Sequence, residues 1–264
     1  PAFPMLAAWM GGEPHISVFI LGTMCFAALL LGISAIGEKM GCGHWTIMAM
    51  LLAPALFAKN LDSGYPTVAS QLGLIVILTM FSTKLRWEIV AITAITVAMI
   101  HPTGLIYLAT LVSAKLLVSK SDSISLTEKI QYSFLALITL FVILILAPAF
   151  GGEAVFAEYG WQGGTPMAIY AGLLLPLGIW SAWTLRNDKP ARILIVWIGL
   201  NWALSAIHLF EGLEGFTIIT MMSYALYSMS MHAFHIPLAT LVGLRFSRVE
   251  GGIASDGGRA IMIA

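Results

Sequence analysis

Charge is what this sequence has least of. Asp, Glu, Lys and Arg make up 10% of its 264 residues, against about 25% in soluble domains, too little to cover a large surface facing water. Neither sign dominates, since 13 basic residues balance 13 acidic ones. A balanced chain sets up no net field for polyanions, so nucleic acid is excluded as a partner. Cysteine is nearly absent. Cys25 and Cys42 form no disulfide framework, and Cys25 sits midway in an apolar run, where a thiol behaves as a small hydrophobe. Familiar soluble motifs are missing as well: there is no HExxH pair, GxGxxG turn, P-loop or GxSxG elbow. The clear uncharged runs hold no mid-run acid of the kind that marks proton-coupled pumps.

Apolar residues fill the gap. They reach 59% of the chain, with a mean hydropathy of +0.92. The expected class is all-α: a polytopic transmembrane helix bundle in the cell membrane, with membrane lipid as its first partner. A crossing helix needs about 20 apolar residues. Uncharged runs at 16–36, 65–82, 130–150, 167–185 and 193–210 meet or approach that length. The run 45–58 is short and carries Pro54, which would kink or stop it. The run 216–244 is long and contains Pro237, so it must tilt, kink or break. No basic region precedes the first run, so a signal peptide is not expected. The chain opens on Pro1 and closes on the start of another apolar run. Residues 1–264 therefore read as a single transmembrane domain, an internal piece of a longer membrane protein.

The run 89–117 is one long helix or two short ones. His101-Pro102-Thr103-Gly104 favours a break, because proline disfavours helix at the residue before it. Orientation arithmetic agrees, since Lys and Arg collect in short cytoplasmic loops. With a turn at His101, one side holds Lys39, Lys84, Arg86, Lys115, Lys120, Lys129, Arg186, Lys189, Arg192, Arg245, Arg248 and Arg259. The other side keeps only Lys59. Without the turn the cations scatter over both sides. The count is then about nine membrane segments. The cation-poor side collects Glu13, Asp62, Glu153, Glu158, Glu211 and Glu214, with His15, His101 and His208.

Candidate chemistry lies on that side. His101 can donate to a phosphate or hydroxyl, or carry a proton, near neutral pH. Glu13 can act as a base or hold a metal; it is equally a turn residue ahead of a helix. Asn60, Asp62 and Tyr65 form a polar cluster at the neighbouring turn, and Lys59 can contact a phosphate or snorkel to the interface. The loop 151–165 adds Glu153 and Glu158 beside Tyr159 and Trp161. His232 and His235, three apart, could form a metal or haem face, but a zinc site wants three or four ligands.

The opening Pro1-Ala2-Phe3-Pro4-Met5-Leu6, then Gly11-Gly12 and a long span, resembles the end of the first outer loop in GT-C class membrane glycosyltransferases. Gly64-Tyr65-Pro66 and His101-Pro102-Thr103-Gly104-Leu105 resemble prokaryotic members. The likeness covers roughly residues 1–117. It implies a polyprenyl-phosphate sugar as donor and a catalytic Asp or Glu in the first outer loop, which would fall upstream of Pro1. The chemistry needs a base for the acceptor hydroxyl and a cation or divalent metal for the departing phosphate. Glu13 and His101 are the candidate catalytic residues; Lys59, Asp62, Tyr65, Glu153 and Glu158 are the candidate substrate-binding ones. A transporter or permease, and a non-catalytic membrane subunit, stay open as alternatives.

Overall fold

The computed structural model describes residues 2–42, 44–61, 65–78, 86–101, 103–118, 127, 165–205 and 234–255. Every element among them is helical. In chain order they are α1 (Ala2–Trp9), α2 (Pro14–Lys39), α3 (Trp45–Met50), α4 (Ala55–Leu61), α5 (Tyr65–Leu78), α6 (Trp87–Ile100), α7 (Thr103–Val118), α8 (Thr165–Ala171), α9 (Leu174–Thr184), α10 (Lys189–Ser205) and α11 (His235–Ser255).

α2 shows why these boundaries fall where they do. Pro14 opens it, where a missing N–H costs nothing. Gly41, at φ +71°, closes it. The Gly41 N–H bonds to the Glu38 carbonyl (3.1 Å) and the Cys42 N–H to the Gly37 carbonyl (2.6 Å), the paired bonds of a Schellman ending. The helix between runs 26 residues, roughly 39 Å at about 1.5 Å per residue. Among the described residues it is the one helix long and apolar enough to cross a bilayer. α5 and α6 are shorter apolar helices.

The break expected near residue 101 is present. α6 ends at Ile100, and His101 is extended (φ −152°, ψ 112°), the conformation a following proline favours. The run 45–58 is stopped as its proline led us to expect: α3 ends before Pro54, and a turn at residues 51–54 leads into α4. One other expectation is corrected. The run 167–185 is not continuous: Gly172, at φ +56°, divides α8 from α9. A Cβ there would also lie 2.6 Å from Pro54 Cδ and 3.1 Å from the Leu52 carbonyl, so the turn is fitted against the α3–α4 turn. Of the run 216–244 only the part from Phe234 onward is described: α11 begins at His235, with Pro237 in its first turn, where no intrahelical bond needs its nitrogen. The span 130–150 and residues 216–233 lie outside the described residues.

Glycine contacts give the helix directions. Gly22 meets Tyr65 and Gly32 meets Ile75, so α2 and α5 run parallel. Gly73 meets Thr93 and Val97, while Ala69 and Ile100 share a cluster, so α6 returns antiparallel to α5. Gly104 lies against Ser70, which starts α7 at the end where α5 starts. At the opposite end the Ser247 hydroxyl donates to the Gly41 carbonyl and Arg248 pairs with Asp188. That joins the end of α2, the α9–α10 turn and the C-terminal half of α11. The core between the ends includes Leu29, Ile33 and Ile36 of α2, Ile77 and Leu78 of α5, Leu108 and Leu111 of α7, and Trp197 of α10, all almost wholly buried.

Candidate functional site

The helix directions bring several candidate residues to one end. Glu13 precedes α2, Tyr65 begins α5 and His101 joins α6 to α7. Phe3, Val18, Leu21, Tyr65, Ala69 and Ile100 pack in one small cluster beneath them. Lys59 lies in the last turn of α4; its side chain is outside the described residues. Three residues separate Leu61 from Tyr65, so the two Cα atoms are at most about 14 Å apart, and α4 ends at this same end. Asp62, Glu153 and Glu158 lie outside the described residues.

Glu13 is exposed and extended (φ −67°, ψ 126°). Its carbonyl accepts the Ser17 N–H (3.0 Å), while its carboxylate makes no capping bond to α2. A carboxylate at a helix start sits in the favourable field of the first-turn N–H groups. His101 is half-buried, and its carbonyl accepts the Gly104 N–H (3.0 Å). Tyr65 is the first residue of α5. Its ring is buried, stacked on Phe3 (centroids 6.4 Å, planes 18°) and seated on Gly22, so its faces serve packing. Among the described residues no three His, Cys, Asp or Glu come together as metal ligands. His232 lies outside them, and His235 is buried at the start of α11.

The other end is cationic. Lys39, Arg86, Arg186, Lys189, Arg192, Arg245 and Arg248 lie there, at the ends of α2, α6, α9 and α10 and midway along α11. Asp188 organises part of it. One carboxylate oxygen accepts the Ala191 N–H (3.3 Å), capping α10, and the other meets Arg248 (2.7 Å). Aromatic rings carry the guanidinium groups: Arg186 over Trp183 at 4.7 Å and Arg245 over Trp180 at 4.8 Å. Cys42 is buried nearby. Burial pushes its thiol up to about 11, against the pull of the Thr46 hydroxyl and the Arg248 charge.

Between the ends lies a polar contact that sequence reading missed. Trp197 Nε1 donates to Thr110 Oγ1 (3.1 Å). The Thr110 proton goes to Asn201 Oδ1 (3.0 Å) or back to the Tyr107 carbonyl (2.9 Å). Asn201 Nδ2 donates to the Trp197 carbonyl (2.8 Å). The signal was available: Asn201 is an amide inside an otherwise apolar run, and Trp197 is four residues before it, on the same helix face. Neither a protein-family model, nor a curated protein, nor a solved structure matches the chain.

Proposed function

We propose that this chain is a polytopic integral membrane protein of the cell membrane, of about nine membrane segments. We propose further that its cation-poor end is the site of a glycosyltransferase-like activity, moving a sugar from a lipid-phosphate donor. One observation carries the reading: the helix directions send the basic residues named above to one end, while Glu13 and His101 go to the other. Water on both sides would give no reason for that separation; the rule that cations stay cytoplasmic does. The surface of α2 supports it. Ile16, Phe19, Ile20, Met24 and Leu31 are exposed, and only 22% of its apolar stretch is buried. A water-facing helix would not keep so many large apolar side chains uncovered.

The catalytic part follows from what the cation-poor end offers. Glu13 would take the proton of the acceptor hydroxyl. His101 would donate to the phosphate as the sugar–oxygen bond breaks, and Lys59 would balance its charge. A divalent metal is a second way to balance it.

Cysteine labelling of intact cells tests the topology. His15→Cys reacts with a membrane-impermeant maleimide from outside, and Asn187→Cys reacts only after permeabilisation; both positions are exposed. The reverse pattern overturns the topology. For the activity, His101→Ala lowers sugar transfer about a hundredfold, the usual weight of a positioned acid or base, without lowering the amount in the membrane. Unchanged transfer removes His101 from the chemistry.

A further inference from the structure

At the cation-rich end, Arg245 carries a donor that none of the described residues uses. Its Nε is buried and has no hydrogen-bond partner among them. Its guanidinium lies over the Trp180 ring at 4.8 Å. The carboxylate of Asp188 at this end is engaged by Arg248 at 2.7 Å and by the Ala191 N–H. A buried N–H of a charged group without an acceptor points to an acceptor supplied from outside the chain. Stacking on an indole fixes the guanidinium plane, and a fixed guanidinium pairs with a phosphate through two parallel N–H bonds.

What adjoins this group selects the kind of phosphate. Trp183 is 70% exposed and Ile179 61% exposed, both on α9 beside Trp180. Apolar side chains next to a phosphate-binding arginine suit a molecule whose phosphate carries hydrocarbon chains. Tryptophan at such a boundary settles at headgroup level. We infer that Arg245, held over Trp180 and flanked by Arg248, binds the headgroup phosphate of an anionic phospholipid whose acyl chains lie along α9. The inference rests on the membrane reading above. It adds a lipid site at the end opposite the proposed chemistry, without depending on that chemistry.

Native mass spectrometry of the full chain, purified in detergent and titrated with phosphatidylglycerol or phosphatidylcholine, tests it. Phosphatidylglycerol binds in preference to phosphatidylcholine. Arg245→Gln weakens its binding roughly fivefold, about the effect of one basic residue near an anionic surface. Arg245→Lys, which keeps the charge but not the fork, falls between. Arg186→Gln changes binding less than twofold, because that guanidinium is exposed and bonded to the Trp183 carbonyl (2.9 Å). Equal losses in Arg186→Gln and Arg245→Gln overturn the site, as a diffuse charge effect would produce them. Full displacement of the lipid by an equal concentration of inorganic phosphate overturns the lipid assignment. Equal binding of the two lipids does the same. A chain that does not sediment with membranes sinks the membrane reading itself. A membrane-embedded chain indifferent to Arg245→Gln sinks only this inference.

Discussion

Where α2 meets α5, two helices run parallel and the contact is set by side chains that are missing. A Cβ at Gly22 would lie 2.2 Å from Tyr65 Cδ1, and one at Gly32 would lie 2.5 Å from Ile75 Cγ2. Where α7 meets α10, the helices are held by donors and acceptors. Thr110, Trp197 and Asn201 bond across the contact, and the Tyr107 ring meets Trp197 edge-on at 5.7 Å. The first contact depends on shape, the second on pairing. If lipid surrounds these helices, burying hydrocarbon supplies little net drive, and close backbone approach or interhelical hydrogen bonding must do more.

The contrast can be broken first at its tightest point. Gly22→Ala destabilises the chain by about 2 kcal/mol, in the range for overpacking a well-filled core. The Tyr65 ring is clamped between α2 and Phe3 and has little room to retreat. Gly32→Ala, facing one end of a flexible isoleucine, costs less than about 1 kcal/mol. Thermal unfolding in detergent reads both, and an equal effect at the two positions would show that the ring is not the obstacle.

Thr110→Val sharpens the other side of the comparison. It keeps the shape but leaves the Trp197 and Asn201 groups short of a partner, a loss of about 1 kcal/mol. Asn201→Leu added to it should recover part of that loss, because the amide is then removed together with its partner. A further drop in unfolding temperature in the double variant would mean that Asn201 serves something other than Thr110.

The smallest effect is expected at the charged end. Arg248 is about half exposed (49%), so its pair with Asp188 is screened by solvent. Arg248→Gln lowers stability by less than about 0.5 kcal/mol, and the difference shrinks further in high salt. Asp188→Ala costs more, since it also removes the cap on α10. Equal losses in the two variants would mean that the cap contributes nothing.

The helical class was readable because apolar runs bounded by charge admit few alternatives. The break at His101 was readable for a local reason: proline acts on its immediate predecessor whatever surrounds it. The division at Gly172 was not. A glycine inside an apolar run is compatible with helix, and here the turn is settled by Pro54 and Leu52, more than a hundred residues earlier in sequence. Pro237 was read as a point where the run 216–244 must tilt, kink or break; α11 begins two residues before it, at His235. Of the candidate site, Glu13 and His101 reach one end through α2 and α6, as charge counting expected. Tyr65 appeared polar and available in sequence, but its ring is consumed by Gly22 and Phe3, contacts no local pattern announces.

Composition and proline placement, by themselves, determined that this chain is helical, that its cations fall into a few short connections and that one long run must break near residue 101. Both act locally, through solvation of side chains and the sterics of a single ring. The tertiary structure decided which helices run parallel, which glycines receive a neighbour, that Thr110 finds Asn201 and that Arg245 rests on Trp180. Those outcomes depend on residues far apart in sequence competing for the same ångströms, which no single stretch of sequence records.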